Sequence, residues 1–447
     1  MKQRAEIYRQ IRDMAQQMAP QLVDIRRDFH KYAEGRWMEM RTSSLIARYL
    51  QEMGYEVLTG EAVCKRETRM GVPSAPELEK AYQRALEQGG DPAFLKDMKD
   101  GMTGVIGILR CGQGPVMALR FDIDALAITE SDDPAHPPVR EGFASVNAGY
   151  MHACGHDFHA ALGLGTAKIL MAIKEHLHGT VKLIFQPCEE GVAGGARSIV
   201  AKGHLDDVMY MVGGHMTGRT EQEPDIAVIP GSHGWLATAK YAVHYRGLSS
   251  HAGSAPEKGK DALLAAVTAI KALYSIPRTS QGATRVGVGR VFDESAVNVV
   301  SSDVRFCFEV RGSSNESLAY MQEKALRIIR GTADMYEIGC EIEQEGEALA
   351  FDSEQRMRAR IRRVAAKDLH LKVSRMESLG NGGSEDVGYM ILKTIENGGE
   401  AAFMRIMSDV TGAFHRKDLN ISESCLPDAV SIYAGLVYDI CGEKQFQ

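Results

Sequence analysis

Hydrophobic positions follow a helical spacing near the start of the chain and form short continuous runs further along. The stretches YRQIRDMAQQMAPQLVDIRRDFHKYA and TSSLIARYLQEMGY predict N-terminal helices, the last of which ends at Gly54. The later runs GVIGILRC, PVMALRFDI, TVKLIFQP and VMYMVGG are typical of strands buried on both faces. Between them, DFHAALGLGTAKILMAIKEHL predicts a helix with Asp157 at its N-cap. This alternation indicates an α/β fold with a mixed, mostly parallel sheet covered by helices.

A different pattern occupies residues 237–350, where polar and apolar positions alternate and the elements follow the order βαββαβ. That order is typical of a split βαβ, ferredoxin-like module. The pattern of the first domain resumes after it. We therefore expect a discontinuous main domain, residues 1–236 and 351–447, interrupted by a lid-like domain.

The charged segment of residues 62–101 fits neither pattern and interrupts the sheet. Ser74 and Glu77 within it have the spacing of a capping box, in which each end of the pair satisfies a backbone N–H of the other. We therefore expect an ordered helical insertion there.

Charge and composition exclude several classes of partner. The chain has 447 residues and a formal net charge of −7, so neither nucleic acid nor an anionic membrane is expected to bind it. Its first residues are charged and no run of 18 apolar residues follows, which predicts a soluble, cytoplasmic protein. The eight cysteines lack the short spacing of a disulfide scaffold, and most are expected to be reduced.

The segment HACGHDFHA, residues 152–160, is rich in side chains that bind metals. Cys154 and His156 precede the predicted helix two positions apart, so both can point toward one place. Thiolate and imidazole are preferred zinc ligands. Such a pair alone is weak support, because an isolated cysteine or histidine is more often structural.

Other strand ends supply residues of the same kind. The strand TVKLIFQP leads into Glu189 and Glu190, whose mutual repulsion a cation would relieve, leaving one carboxylate as ligand and one as general base. The run DVMYMVGGH ends in His215, and His415 lies in a glycine-led loop after another predicted strand. Ligands of α/β sheets bind beyond the carboxyl ends of strands, where these residues are expected to meet. So many donors exceed one tetrahedral site and suit two ions.

The strand before them ends in Asp122 and Asp124. An aspartate in this place can hold a ligand histidine through its second ring nitrogen.

The chain as a whole resembles peptidase family twenty, a family of dinuclear metal-dependent amidohydrolases, in its branch of hippurate, auxin-conjugate and aminobenzoyl-glutamate hydrolases. The resemblance lies in RRDFHKYAE, RFDIDAL, MHACGHDFHAALGLG, LIFQPCEEGVAGGARSIVAKG, SSHAGSAPEKGKDAL, GGSEDV and the loop at His415. It implies a zinc-exopeptidase-like catalytic domain with an inserted lid and dimerisation domain. It also implies two divalent ions, Mn²⁺ or Zn²⁺, a general base at Glu189, and metal ligands at Cys154, His156, Glu190, His215 and His415.

Within that branch the likeness is closest to the aminobenzoyl-glutamate hydrolases, on Ala33 and the charged insertion. This implies a small-molecule N-acyl amino acid as substrate, and either a homodimer or a heteromer with a related B subunit. In the lid, His251 resembles a histidine that reaches across a dimer interface to polarise the scissile carbonyl. Asn298 and Arg311 resemble residues that bind the substrate's amide and carboxylate, and Ser384 is expected in the substrate loop.

The predicted reaction is metal-assisted hydrolysis, in which Glu189 takes a proton from water and later protonates the leaving amine. One alternative is a hydrolase for another N-acyl amino acid, such as an auxin-aspartate or hippurate conjugate. A second is a weakly active structural component of a heteromeric hydrolase. Cys188 stands where relatives of the family usually have a small apolar residue, and a buried inert thiol is expected there.

Overall fold

The computed structural model describes residues 2–191, 194–376, 378–380 and 382–442, which form two compact units. The first comprises the described residues of Met1–His233, Asp352–Leu379 and Tyr389–Gln447. The second comprises those of Gly234–Phe351 and Gly380–Gly388. The assignment of a catalytic domain and a lid to these parts stays a prediction, and the chain termini included in it lie outside the described residues.

The helices begin and end as follows: α1 Lys2–Gln17, α2 Ala19–Lys31, α3 Met40–Glu52, α4 Ala75–Glu87, α5 Pro92–Leu95, α6 Pro137–Arg140, α7 His156–Ala172, α8 Gly195–Ala201, α9 Ala262–Tyr274, α10 Asn315–Met335, α11 Gln355–Arg363, α12 Gly388–Glu396 and α13 Leu426–Cys441. The strands are β1 Glu56–Thr59, β2 Val105–Arg110, β3 Val116–Asp122, β4 Thr180–Gln186, β5 Tyr210–Gly218, β6 Val228–Ile229, β7 Ser232–His233, β8 Ala237–Arg246, β9 Thr284–Phe292, β10 Asp303–Gly312, β11 Gly339–Ala348, β12 Ser378–Leu379, β13 Glu400–Ser408, β14 Val410–Thr411 and β15 Asn420–Ile421.

The first unit is built on a seven-stranded sheet in the order β1-β2-β4-β3-β5-β13-β6. Its central strands β4, β3, β5 and β13 are parallel, whereas β1, β2 and β6 pair antiparallel. The continuous apolar runs of β3 and β4 are buried almost throughout, as the lack of alternation predicts. The predicted α/β fold with a largely parallel sheet is therefore confirmed.

Helix α7 carries the metal-site motif and is the central helix of this unit. It can pack closely because it has glycines where neighbours approach. A Cβ on Gly163 would lie 2.5 Å from the ring of Phe185 in β4, and one on Gly165 would lie 2.7 Å from Leu22 in α2. The helix is thus fixed between the sheet and the N-terminal helices, which holds its first turn in place.

The second unit contains a four-stranded antiparallel sheet in the order β11-β8-β10-β9. Helices α9 and α10 pack on one face of it, where the alternate apolar residues of β8 and β10 are buried. The element order is the βαββαβ order that the sequence indicates. The opposite face carries the polar positions of the same strands.

The charged insertion, residues 62–101, lies between the antiparallel strands β1 and β2. Its helix α4 begins with the capping box of Ser74 and Glu77, whose backbone and side-chain bonds are both formed. Trp37 donates a hydrogen bond from Nε1 to the carbonyl of Met70, which joins the insertion to the N-terminal segment. No helix in the described part of the chain has the length and apolar character needed to cross a membrane.

The carboxylate of Asp439 in α13 forms ion pairs with three arginines: Arg4, Arg360 and Arg363. Burial raises the pKa of Asp439, but the hydrogen bonds of the arginines outweigh it and hold the pKa below its usual range. A lowered folded-state pKa stabilises the fold at pH values above the ordinary aspartate pKa of about 3.9, and this stabilisation disappears as the pH falls through the lowered value.

We expect Asp439→Asn to lower the free energy of unfolding at pH 7 by about 1–3 kcal/mol, because three partly exposed cations lose their counter-charge. The difference from the unaltered protein should shrink as the pH falls from about 4 through the lowered pKa, because the carboxylate is protonated first in the unfolded chain and then in the folded one. Urea denaturation at several pH values measures both effects. Asp13→Asn, an exposed site on α1, is the control. An equal change in both variants would contradict the assignment.

Candidate metal centre

The predicted metal-site residues lie at one edge of the seven-stranded sheet. Strands β3, β4 and β5 are parallel, so their carboxyl ends meet there. Asp122 is the last residue of β3, and Glu189 and Glu190 follow β4. The sequence predicts that the next strand ends at His215; instead β5 continues to Gly218, because it pairs with β13 over that length.

The donor atoms form two overlapping groups that share the thiol of Cys154. In one group the donors of Cys154, His156 and His215 lie within 4.8 Å of one another. In the other, the same holds for Cys154, Glu190 and His415. The Sγ of Cys154 lies 3.2 Å from Nε2 of His215 and 3.3 Å from Nε2 of His415. The structure thus brings together the five residues predicted as ligands.

Glu189 lies at the border of this cluster. Its carboxylate forms a further 4.8 Å group with His156 and Glu190. Glu189 is partly exposed, whereas Glu190 is buried. A buried carboxylate is suited to hold a cation, while an accessible one beside it can exchange protons with water or substrate.

Hydrogen bonds orient the two buried histidines. Nδ1 of His156 lies 3.2 Å from Oδ1 of Asp124, and Nδ1 of His215 lies 2.6 Å from the carbonyl oxygen of Met216. An ionised carboxylate and a carbonyl only accept, so each ring donates from Nδ1, which leaves Nε2 as the nitrogen that faces the cluster. Among the described residues, His156 Nε2 and Glu190 Oε1 are buried with no hydrogen-bond partner. Such atoms fit a bound divalent ion.

The charges of the cluster also favour a cation. Burial, followed by the charge of Asp124, raises the pKa of Glu190 to about 7. Burial and the carboxylates of Glu190 and Glu189 raise the pKa of the Cys154 thiol well above its usual range. Burial lowers the pKa of His156, but the nearby carboxylates outweigh it and raise the pKa to about 10. A divalent ion would supply the positive charge that this arrangement favours.

His159 lies beside these donors but is engaged elsewhere. Its Nδ1 bonds to Asp122, and its Nε2 accepts the backbone N–H of Met216 at 3.0 Å. Because both ring nitrogens are used, His159 holds β5 in position and is not a free ligand. The sequence shows three histidines in this motif, and only their hydrogen bonds distinguish these functions.

Asp157 lies in the first turn of α7 and is not its N-cap, contrary to the sequence pattern. The N-cap is Gly155, whose φ of 87° is left-handed and where a Cβ would lie 2.5 Å from a neighbouring isoleucine. The Asp157 carboxylate instead lies 2.7 Å from Nε of Arg26 and 2.8 Å from Nδ1 of His30. Burial opposes the charge, yet Arg26 holds the pKa of Asp157 below its usual range. This contact ties α2 to the segment that carries two donors.

Glu39 supports the loop that carries Glu189. Its buried carboxylate accepts the backbone N–H of Cys188 at 2.9 Å and the hydroxyl of Thr103 at 2.6 Å. Cys188 has a φ of 53°, a strained conformation for a residue with a side chain. Burial and then the charge of Asp124 raise the pKa of Glu39 to about 8. Sequence reasoning missed Glu39, because a single acid before a helix carries no signal of a contact 149 positions away.

The residues predicted for the substrate lie in the second unit: His251, Asn298, Arg311 and Ser384. Nδ1 of His251 accepts two backbone N–H groups, so its exposed ring is protonated at Nε2. Arg311 pairs with Glu309 and donates to the carbonyl of Gly382 at 2.9 Å. The Ser384 hydroxyl is buried and has no hydrogen-bond partner within the described ranges. Their contribution to substrate binding stays a prediction.

Comparisons with known proteins identify relatives of this chain. The family model of peptidase family M20/M25/M40 matches residues 118–439. The A subunit of p-aminobenzoyl-glutamate hydrolase from Escherichia coli is 39% identical over 93% of this chain and 95% of its own. The indole-3-acetyl-aspartic acid hydrolase of Enterobacter agglomerans is 37% identical over 95% and 97%, respectively.

A solved structure shows the same fold. The aminobenzoyl-glutamate utilization protein of Klebsiella pneumoniae superimposes with a TM-score of 0.81 at 33% sequence identity. The match covers 96% of this chain and 98% of that one. The similarity therefore includes both compact units.

The contacts of Glu39 generate a prediction about the loop before Glu189. Glu39→Ala should lower the free energy of unfolding by about 2–5 kcal/mol, because two buried donors lose their acceptor and a cavity forms. Glu39→Gln retains an acceptor oxygen for Cys188 and should recover most of that loss. Chemical denaturation of both variants measures this, and an alanine variant as stable as the unaltered protein would exclude the supporting role.

Proposed function

The chain belongs to peptidase family M20/M25/M40, and we propose that it hydrolyses the amide bond of an N-acyl amino acid, converting p-aminobenzoyl-glutamate to p-aminobenzoate and glutamate. The observation that carries this proposal is the cluster of five donors around Cys154 with the accessible Glu189 beside it. The names of the similar proteins from Escherichia coli and Klebsiella pneumoniae support the substrate.

The residues that would hold two divalent ions, Mn²⁺ or Zn²⁺, are Cys154, His156, Glu190, His215 and His415. Thiolate, imidazole and carboxylate ligands accept either metal, and cellular availability contributes to the choice. Bound ions would polarise the scissile carbonyl and lower the pKa of water. The buried Nε2 of His156 and Oε1 of Glu190 support this assignment, because the described residues offer neither atom a hydrogen bond.

Glu189 is the general base in this proposal. It removes a proton from water as the water oxygen attacks the carbonyl carbon, and it delivers that proton to the amide nitrogen as the C–N bond breaks. Asp124 keeps His156 in the required tautomer. By the resemblance to the family, the Nε2–H of His251, reaching across a dimer interface, would donate to the carbonyl oxygen as negative charge develops there.

The remaining substrate contacts belong to the same proposal. Asn298 would bind the amide, and Arg311 would bind a carboxylate through its forked donors. Ser384 would contribute to the substrate loop through backbone groups. Arg311 makes its present ion pair with Glu309, so substrate binding requires that this pair open. The Escherichia coli relative is named as the A component of its hydrolase, which supports a heteromer with a related B subunit. A homodimer is the alternative assembly.

A second candidate substrate has support of its own. The similar protein from Enterobacter agglomerans is named for indole-3-acetyl-aspartic acid, at nearly the same identity and coverage. An auxin-aspartate conjugate shares the acidic amino acid and differs in the acyl group. The two candidates therefore differ in the pocket for the aromatic acyl group.

We expect Glu189→Gln to lower kcat by roughly 10²–10⁴-fold, the usual contribution of a general acid and base. The variant should still bind two metal ions per chain, because glutamine removes the base and leaves the proposed ligands intact. Steady-state kinetics together with metal analysis by mass spectrometry measure both. A near-normal rate would eliminate this mechanism, while loss of one ion would make Glu189 a ligand.

The substrate is tested by chelating the purified chain, reloading it with Mn²⁺ or Zn²⁺ and following p-aminobenzoate release from p-aminobenzoyl-glutamate. We expect release only after reloading, at a higher kcat/KM than for indole-3-acetyl-aspartate or hippurate. A preference for either of those would replace the proposed substrate. Activity that appears only after the B partner is added would support the heteromer.

A further inference from the structure

An exposed arginine, Arg36, lies on a turn whose other residues are buried. Gly35, Trp37 and Met38 are buried on either side of it. Arg36 takes part in no hydrogen bond or ion pair with any residue that the structure describes. It differs in this respect from Arg41 of α3, which donates hydrogen bonds to the carboxylate of Asp28 in α2.

Buried contacts on both sides hold the backbone of this turn in place. Trp37 is completely buried with a left-handed φ of 55°, a strained conformation that surrounding contacts must maintain. Gly35 pairs with Ala125 in a parallel bridge, and a Cβ on it would lie 2.4 Å from the ring of Tyr150. Strain that displays one charged side chain is typical of binding sites.

This turn lies alongside the loop of the metal centre. A Cβ on Gly191, the residue after Glu190, would lie 3.9 Å from Nη1 of Arg36. A Cβ on Gly194 would lie 3.6 Å from the ring of Trp37. Arg36 is thus an accessible cation at the rim of the proposed metal site.

The carboxylate of Glu77 in the insertion interacts electrostatically with the guanidinium of Arg36. Its carboxylate already accepts the backbone N–H and the hydroxyl of Ser74 in the capping box, at 2.9 and 2.6 Å. Arg36 therefore retains its donors for a further anion. An arginine without a partner, held beside a reaction centre, is suited to a carboxylate.

We propose that Arg36 binds the side-chain carboxylate of an acidic amino acid in the substrate and so selects N-acyl glutamate or aspartate over neutral N-acyl amino acids. This inference rests on the proposed function. Two similar proteins are named for p-aminobenzoyl-glutamate and indole-3-acetyl-aspartic acid. These two compounds differ in the acyl group, but both carry a second carboxylate on the amino acid. Arg36 supplies the charge that such a shared group requires.

The test compares kcat/KM for p-aminobenzoyl-glutamate with that for p-aminobenzoyl-glutamine, which has the same shape without the charge. Arg36→Gln should reduce the glutamate-over-glutamine ratio by about 10- to 100-fold, mainly through KM, because one charge-assisted bond is lost. The kcat/KM for the glutamine substrate should fall much less than that for the glutamate substrate. Arg36→Lys should retain part of the preference, because the charge remains and the fork is lost.

Arg48→Gln on α3 is the control, since this arginine is partly accessible and pairs with Glu52. Calorimetric titration of the metal-free protein with p-aminobenzoyl-glutamate gives a second readout, in which Arg36→Gln should bind more weakly than the control. An unchanged ratio, or an equal loss with both substrates, would overturn the assignment of Arg36. If the unaltered protein hydrolyses neither substrate but cleaves another N-acyl glutamate, the proposed acyl group is wrong. The role of Arg36 is then tested by the glutamate-over-glutamine ratio of kcat/KM for substrates with that other acyl group. Hydrolysis of no N-acyl amino acid would overturn both.

Discussion

Negative groups buried together at the carboxyl ends of β3, β4 and β5 impose the main constraint on this structure. Asp122, Asp124 and Glu190 are all removed from water, where each charge is costly unless a cation is close, and the buried Cys154 thiol beside them resists ionisation for the same reason. Part of the compensation comes from the chain itself, as in the buried pair of Arg120 with Asp122. The rest falls to the centre of the cluster, where the arrangement favours divalent ions.

Because the buried negative charges must be balanced by cations, many contacts in the first unit fix the positions of the donor side chains. A metal ligand must face the ion with its lone pair, so each imidazole needs a fixed acceptor for its other nitrogen. Asp124 and the carbonyl of Met216 serve His156 and His215 in this way. The buried ion pair of Arg26 with Asp157 anchors the first turn of α7 to helix α2. The proposed metal ligands are thus held in place by residues that are not themselves proposed as ligands.

The residues proposed to recognise the substrate differ from the proposed metal ligands in their exposure to solvent. Arg36 and His251 are exposed and present donors to solvent, whereas the proposed ligands other than His415 are buried. An exposed charge contributes little to folding but can bind a partner as soon as water is displaced. Stability and the proposed metal binding therefore depend on buried residues, whereas the proposed contacts with the substrate are made by accessible ones.

The sequence by itself determined the class of fold and the strand ends at which the candidate metal donors lie. Continuous apolar runs report strands buried on both faces, and polar donors just after those runs must meet where parallel strands end. The tertiary structure alone decided how individual side chains are used. It shows that His159 has both nitrogens engaged, that Asp157 binds Arg26 and does not cap α7, and that Glu39 and Arg36 from the N-terminal segment adjoin the loop of Glu189 and Glu190. The reason is physical: periodicity reports the burial of each residue in its own element, while hydrogen-bond partners far apart in the chain are chosen only when the elements pack.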